Sequence, residues 1–223
     1  MAKALALAKR SLGRTRPNPS VGAIIVKNKK IVGKGFHKIA GKDHAEIIAI
    51  KEAGLLAKGA DLYVTLEPCS HKGKTPPCAN SIVSSGIKNI YIAMTDPNPL
   101  VNGKGVDFLK KNGMNVFLGI MEEEAKKLNL GFISRMKYKR PYIRSKIAIS
   151  LDGKTSLQNG KSRWITSKSS REDVQKWRSK SCAILTGKGT INIDNPSLLV
   201  KDQSAKNQPL RIILDSYLTI KPN

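Results

Sequence analysis

The sequence predicts an α/β protein made of two successive layered units, residues 1–140 and 141–223. Three observations carry that expectation. Strand-like and helix-like apolar patterns alternate along both parts of the chain. The basic, proline-marked stretch KYKRP around Pro141 interrupts the alternation and separates two such systems. A length of 223 residues exceeds one modest domain, and 40% hydrophobic with 25% charged side chains is enough apolar matter for packed cores.

Taken in order, residues 3–12 carry apolar side chains at helical spacing, and RTRPNPS then breaks regular structure. VGAIIVK and IVGKGFH are β-rich runs joined by the polar KNKK, which reads as a hairpin. HAEIIAIKEAGLLAK sets Ile47, Ile48, Ile50, Leu55 and Leu56 at helix-like spacing, so His44 opens a helix that leads through a glycine-containing exit into the strand DLYVTLE. Beyond the turn PCSHKGKTPPC come a helix in ANSIVSSG and a strand in NIYIAM. The loop DPNPLVNGKG precedes two helices around the short strand MNVFLG, ending near Lys139. In the second unit the pattern reads as a strand YIRSKIAIS, a loop LDGKTSLQNGKSRWITS, a helix over about 168–180, and strands CAILTG and RIILDS.

The formal net charge of +24 raises nucleic acid as a partner. Its distribution argues otherwise: 25 basic against 10 acidic residues in 1–140 and 15 against 6 in 141–223 spread the excess evenly, and aromatic residues to stack on bases are only 5%. A lysine-rich solvated surface that suits anionic small substrates is the reading adopted, with no nucleic acid and no membrane as partners and homo-oligomerisation left open. The N-terminus lacks the long apolar region and cleavage site of an export signal, and no stretch is apolar enough to span a bilayer, so the expected location is the cytoplasm. Three cysteines, Cys69, Cys78 and Cys182, then suit a metal better than a disulfide framework.

The chemistry concentrates in His44, Glu46, Cys69 and Cys78. Zn2+ takes imidazole and thiolate in a tetrahedron, and a catalytic site keeps its fourth position for water. His44, Cys69 and Cys78 supply three ligands, and Glu46, two residues past the first, is placed to move protons. H-x-E followed by P-C and a second cysteine is the pattern of zinc deaminases, in which the glutamate is acid and base and not a ligand. Here it reads His44-Ala45-Glu46, then Pro68-Cys69 and Cys78. Eight residues separate the cysteines where nucleobase deaminases commonly have two, and that longer loop offers polar groups such as His71 and Lys74 to a charged substrate.

Over its whole length the chain resembles the bifunctional riboflavin-biosynthesis family that joins a pyrimidine deaminase to a pyrimidine reductase. RPNPSVGAIIVK, HAEIIAI, YVTLEPCSHKGKTPPC and DPNPLVNGKG carry the likeness in the first part; SLDGKTS, SRWITS and ILTGKGTINIDNPSL carry it in the second. The resemblance implies a cytidine-deaminase-like three-layer α/β/α domain followed by a partial dihydrofolate-reductase-like α/β domain. It implies deamination of 2,5-diamino-6-ribosylamino-4(3H)-pyrimidinone 5′-phosphate, a phosphorylated pyrimidine, and then NADPH reduction of the ribosyl group. Asn18, His37, Lys74, Asp96 and Asn98 would contact the deaminase substrate. Ala148, Trp164, Thr190, Asp194 and Ser216 would surround NADPH; Lys146, Ser162, Arg178, Leu198 and Lys201 would meet the reductase substrate. Lys201 stands where the family commonly has Arg, which exchanges a bidentate phosphate clamp for a point charge.

Family members continue well past the equivalent of Asn223, so the second half is expected to expose strand edges and apolar surface and to lack reductase competence as it stands. Two rival readings are a tRNA adenosine (nucleic-acid base) deaminase and a non-catalytic nucleotide-binding module with a structural zinc. The wide cysteine spacing and the reductase-like second half speak against the first. The second needs a fourth protein ligand, and Cys182, on a strand of the other unit, is not expected to supply it.

Overall fold

The computed structural model describes residues 1–71, 76–160, 164–201 and 208–220. Contacts divide the chain into two compact units, Met1–Tyr142 and Ile143–Asn223. Among the described residues no helix is long and apolar enough to cross a membrane.

The first unit is a five-stranded mixed sheet, ordered β2-β1-β3-β4-β5, between helical layers. Helix α1 (Ala2–Lys9) precedes β1 (Gly22–Lys27) and β2 (Lys30–Phe36), which pair antiparallel through a tight turn at Asn28 and Lys29, both at positive φ. Helix α2 (Ala45–Ala53) continues as a short 3₁₀ turn, Gly54–Ala57, and leads to β3 (Asp61–Val64), antiparallel to β1. Helix α3 (Cys78–Ser84), β4 (Asn89–Ile92), α4 (Lys104–Lys111) and β5 (Asn115–Leu118) add two parallel strands. Helices α5 (Glu122–Leu128) and α6 (Leu130–Tyr138) close the unit. Three helices thus surround MNVFLG where the pattern suggests two; the break falls at Asn129.

Two close approaches fix the layers. Gly22 and Gly35 point to opposite faces of the β1–β2 pair, since Gly22 lies opposite Phe36 and Ala23 opposite Gly35. A Cβ on Gly22 would stand 2.1 Å from the Ala4 carbonyl oxygen of α1, and one on Gly35 only 1.9 Å from the Ala45 oxygen of α2. Glycine is required at both places because backbone meets backbone there. Helix α2 therefore buries Ala45, Glu46, Ala49 and Ala53, whereas Leu55 is 96% exposed and Ile47, Ile48 and Ile50 only half-buried. The isoleucines and leucines at helix-like spacing are not the face that meets the glycines: where α2 sits directly on Gly35 the close approach favours the alanines. The larger core lies in the sheet itself, in Ile25, Leu62, Val64, Ile90 and Ile92, all fully buried. Burial of this kind stabilises by about 25 cal/mol per Å².

In the second unit α7 (Lys168–Lys180) starts at Ser167, whose hydroxyl accepts from the Ser170 N–H, and agrees with the helix read over 168–180. It leads into β6 (Ala183–Gly187), helix α8 (Lys188–Asp194) and β7 (Leu210–Leu214), with β6 and β7 parallel. The strand expected over YIRSKIAIS does not form. A strand exists only by pairing, and among the described residues this segment enters neither sheet; its end is drawn into a turn in which the Ser150 N–H donates to the Lys154 carbonyl and the Gly153 N–H to the Ser150 carbonyl. Helix α8 escaped the sequence reading because Thr190, Ile191 and Ile193 favour strands as much as helices. Among the described residues of this unit Leu198, Val200 and Pro209 are buried, while β7 is exposed throughout.

Candidate active site

His44 is the N-cap of α2, in extended conformation just before the first turn, and Glu46 lies in that turn, 3% exposed. The chain beyond β3 runs along the sheet end to Pro68 and Cys69, and Cys78 opens α3. The Cys78 N–H donates to Cys69 Sγ at 3.4 Å, and the Ala79 N–H to the Cys69 carbonyl at 3.1 Å. His44 Nδ1 is 3.1 Å from Cys78 Sγ and 3.7 Å from Cys69 Sγ, and all three donor atoms lie within 4.8 Å of one another.

A tetrahedral zinc with the usual bond lengths places such donors roughly 3.5–3.8 Å apart, so this set fits the ion with little adjustment. The electrostatics agree. Cys69 is pulled down to about 4, first by its hydrogen bond with Cys78, while the same bond and burial push the Cys78 thiol up. His44 is raised mainly by its hydrogen bond to Cys69. Protons shared among three such donors are what a cation would displace on binding. Burial pushes the Glu46 carboxyl up to about 7, against the opposing pull of His44.

A cavity of about 320 Å³ opens over His44, Glu46 and Cys69 and is also lined by Asn18, His37, His71, Asp96 and Asn98. Asn18 Nδ2 donates to His37 Nε2 at 3.1 Å, which leaves Nδ1–H to donate to the Asp43 carbonyl at 3.1 Å. Burial lowers His37, in keeping with this neutral tautomer, and its ring meets His44 edge-on at 5.2 Å. Asp96 accepts from the Asn98 N–H at 2.8 Å and is raised to about 6, chiefly by desolvation. Asn98 in turn accepts from the Leu100 N–H at 3.1 Å. Four of the five residues expected against the deaminase substrate thus converge; Lys74 lies outside the described residues, as does Ser162 of the second unit.

Two residues of the site escaped the sequence reading. Asn129, between α5 and α6, accepts from the Ser20 N–H at 2.8 Å and donates to the Ser20 carbonyl at 3.0 Å, holding the loop of Asn18 from behind. Glu67, next to Pro68, is buried and binds only backbone. A signal was present for Glu67: a carboxylate between a strand and a metal ligand, with two glycines in NGKG to let backbone approach.

In the second unit Arg178 Nη1 donates to the Leu199 carbonyl at 3.3 Å, and the Lys201 N–H donates to Gln175 Oε1 at 3.1 Å, so Arg178, Leu198 and Lys201 gather along one side of α7. Thr190 and Asp194 lie on α8, just after β6, and Ser216 follows β7; Lys188 bridges to Asp215 at 4.0 Å. Ala148 and Lys146 belong to the unpaired segment before α7. Trp164 is exposed, with the Arg171 guanidinium 4.2 Å over its ring.

The family model for the cytidine and deoxycytidylate deaminase zinc-binding region matches residues 1–94, and that for the RibD C-terminal domain matches 141–223. The riboflavin biosynthesis protein RibD of Bacillus amyloliquefaciens is 52% identical over 220 residues, 99% of this chain and 59% of that protein. The structure of Acinetobacter baumannii RibD superposes with a TM-score of 0.94 at 48% identity, covering 99% of this chain and 63% of that one. A Thermotoga maritima diaminohydroxyphosphoribosylaminopyrimidine deaminase/5-amino-6-(5-phosphoribosylamino)uracil reductase gives 0.92 at 46% identity, over 96% of this chain and 62% of that one. The chain thus spans about three fifths of the length of these relatives. With a cytidine-deaminase-like first unit and a RibD C-terminal second unit in a single polypeptide, the chain belongs to the family of the riboflavin biosynthesis protein RibD.

Proposed function

We propose that residues 1–140 form a zinc-dependent aminohydrolase acting on 2,5-diamino-6-ribosylamino-4(3H)-pyrimidinone 5′-phosphate, and that residues 141–223 belong to the NADPH-dependent reductase of the same pathway. One observation carries the first reading: His44, Cys69 and Cys78 converge, and His44, Cys69 and buried Glu46 line a cavity that also presents Asn18, His37, Asp96 and Asn98. When bound, zinc supplies the Lewis acidity that makes a water nucleophilic near neutral pH. Glu46 takes a proton from the attacking water and delivers one to the departing amino nitrogen. Water and the ring amine become a ring carbonyl and ammonia, with no change in redox state. Asn18 and Asn98 offer amide groups and Asp96 a carboxyl to ring and sugar, His37 orients Asn18, and Lys74 supplies a cation for the phosphate.

For the second unit, Thr190, Asp194 and Ser216 follow the carboxyl ends of the parallel strands β6 and β7, the place where open α/β sheets receive ligands. They are assigned to NADPH together with Ala148 and Trp164. Arg178, Leu198, Lys201, Lys146 and Ser162 are assigned to the reductase substrate, and the protein to the cytoplasm. The test is ammonia release by the purified chain from the pyrimidine phosphate, with tRNA and single-stranded DNA as competing substrates, before and after zinc chelation. Zinc-dependent release from the pyrimidine alone supports the reading; turnover of nucleic acid, or release that survives chelation, contradicts it.

A further inference from the structure

Glu67 is 3% exposed, and both its carboxylate oxygens are engaged by backbone. Oε2 accepts from the N–H groups of Asp96 and Gly103, each at 3.0 Å; Oε1 accepts from Gly105 at 2.9 Å and Val106 at 3.1 Å. Four donors fill the acceptor capacity of a carboxylate, and charge-assisted bonds of this kind are the strong ones. All four come from residues 96–106, the stretch that brings Asp96 and Asn98 to the cavity. Its path is tight as well: a Cβ on Gly105 would lie 2.1 Å from the Pro68 carbonyl oxygen and 3.1 Å from Glu67 Oε1, and Gly103 turns the chain at φ +87°. The loop therefore lies directly on the residue that precedes the ligand Cys69.

We propose that Glu67 is a positioning residue whose carboxylate fixes the 96–106 loop on the Pro68–Cys69 segment and so sets Asp96 and Asn98 at their working distance from the metal ligands. The link to substrate rests on the deaminase reading above. Glutamine cannot replace the carboxylate, because one of its two ends is an NH2 that would face N–H donors.

The experiment compares wild type, Glu67→Gln and Gly105→Ala as full, zinc-loaded chains by amide hydrogen exchange, zinc content, and KM and kcat for the pyrimidine phosphate. In wild type the amides of Asp96, Gly103, Gly105 and Val106 are protected. In both variants they exchange at least about tenfold faster, zinc content is unchanged, and KM rises on the order of tenfold or more while kcat falls less. Wild-type amides that exchange like an open loop overturn the proposal, and so do protected amides in both variants or a loosened loop with unchanged KM. Gly105→Ala reads the same loop with Glu67 intact if Glu67→Gln does not fold. A wild-type chain that releases no ammonia from the pyrimidine counts against the proposed substrate, and the exchange measurement then decides for or against Glu67 by itself.

Discussion

At the scale of single residues, Asp96 shows how a site residue is held at the expense of stability. Its folded-state pKa of about 6 lies above the ordinary 3.8, because burial disfavours the charged form. The folded chain thus binds this proton more tightly than the unfolded one, and stability is lost as pH rises from about 4 to about 6. Replacing Asp96 by Asn, which keeps the acceptor for the Asn98 N–H, removes that penalty. The variant is expected to match wild type near pH 4 and to exceed it above pH 6 by up to about 3 kcal/mol in urea unfolding, while losing affinity for the pyrimidine. A difference that does not grow with pH would mean that Asp96 is not desolvated. Asn129 is the opposite case. Asn129→Ala strips both hydrogen bonds from the buried Ser20 backbone and should cost about 1–3 kcal/mol by the same measurement, at every pH.

At the scale of elements, the helix that carries His44 and Glu46 is placed by what β2 lacks. Gly35→Ala would put a methyl group into the Ala45 carbonyl and drive α2 off the sheet. We expect a loss of about 1–3 kcal/mol in stability and weaker zinc binding in a competition titration with a chromophoric chelator. The hairpin, α2, α7 and most strands were legible because period and turn chemistry are local. The inner face of α2 was not, since Ile47, Ile48 and Leu55 advertise a helix but say nothing about the depth of the groove it enters. YIRSKIAIS failed for a related reason: alternation makes a strand available, and only a partner makes it one. The metal ligands were legible because their chemistry admits few alternatives, whereas Asn129 binds backbone, which leaves little trace in side-chain identity, and Glu67 shows only through its place beside Pro68 and the glycines of NGKG.

At the scale of the whole molecule, the three metal ligands lie in the first unit and both tryptophans, Trp164 and Trp177, in the second. Chelation should therefore lower the thermal transition seen by calorimetry for the first unit and move the tryptophan-emission transition less. Equal shifts in both signals would indicate that the two units unfold as one. The central claim is that a zinc held by His44, Cys69 and Cys78 and a proton carried by Glu46 together deaminate a phosphorylated pyrimidine. Its most direct test is the pair of zinc content and ammonia release for Glu46→Gln beside wild type. Retention of about one zinc per chain with release slowed by about 10²- to 10⁴-fold is the predicted result; unchanged release from a zinc-loaded variant would contradict it.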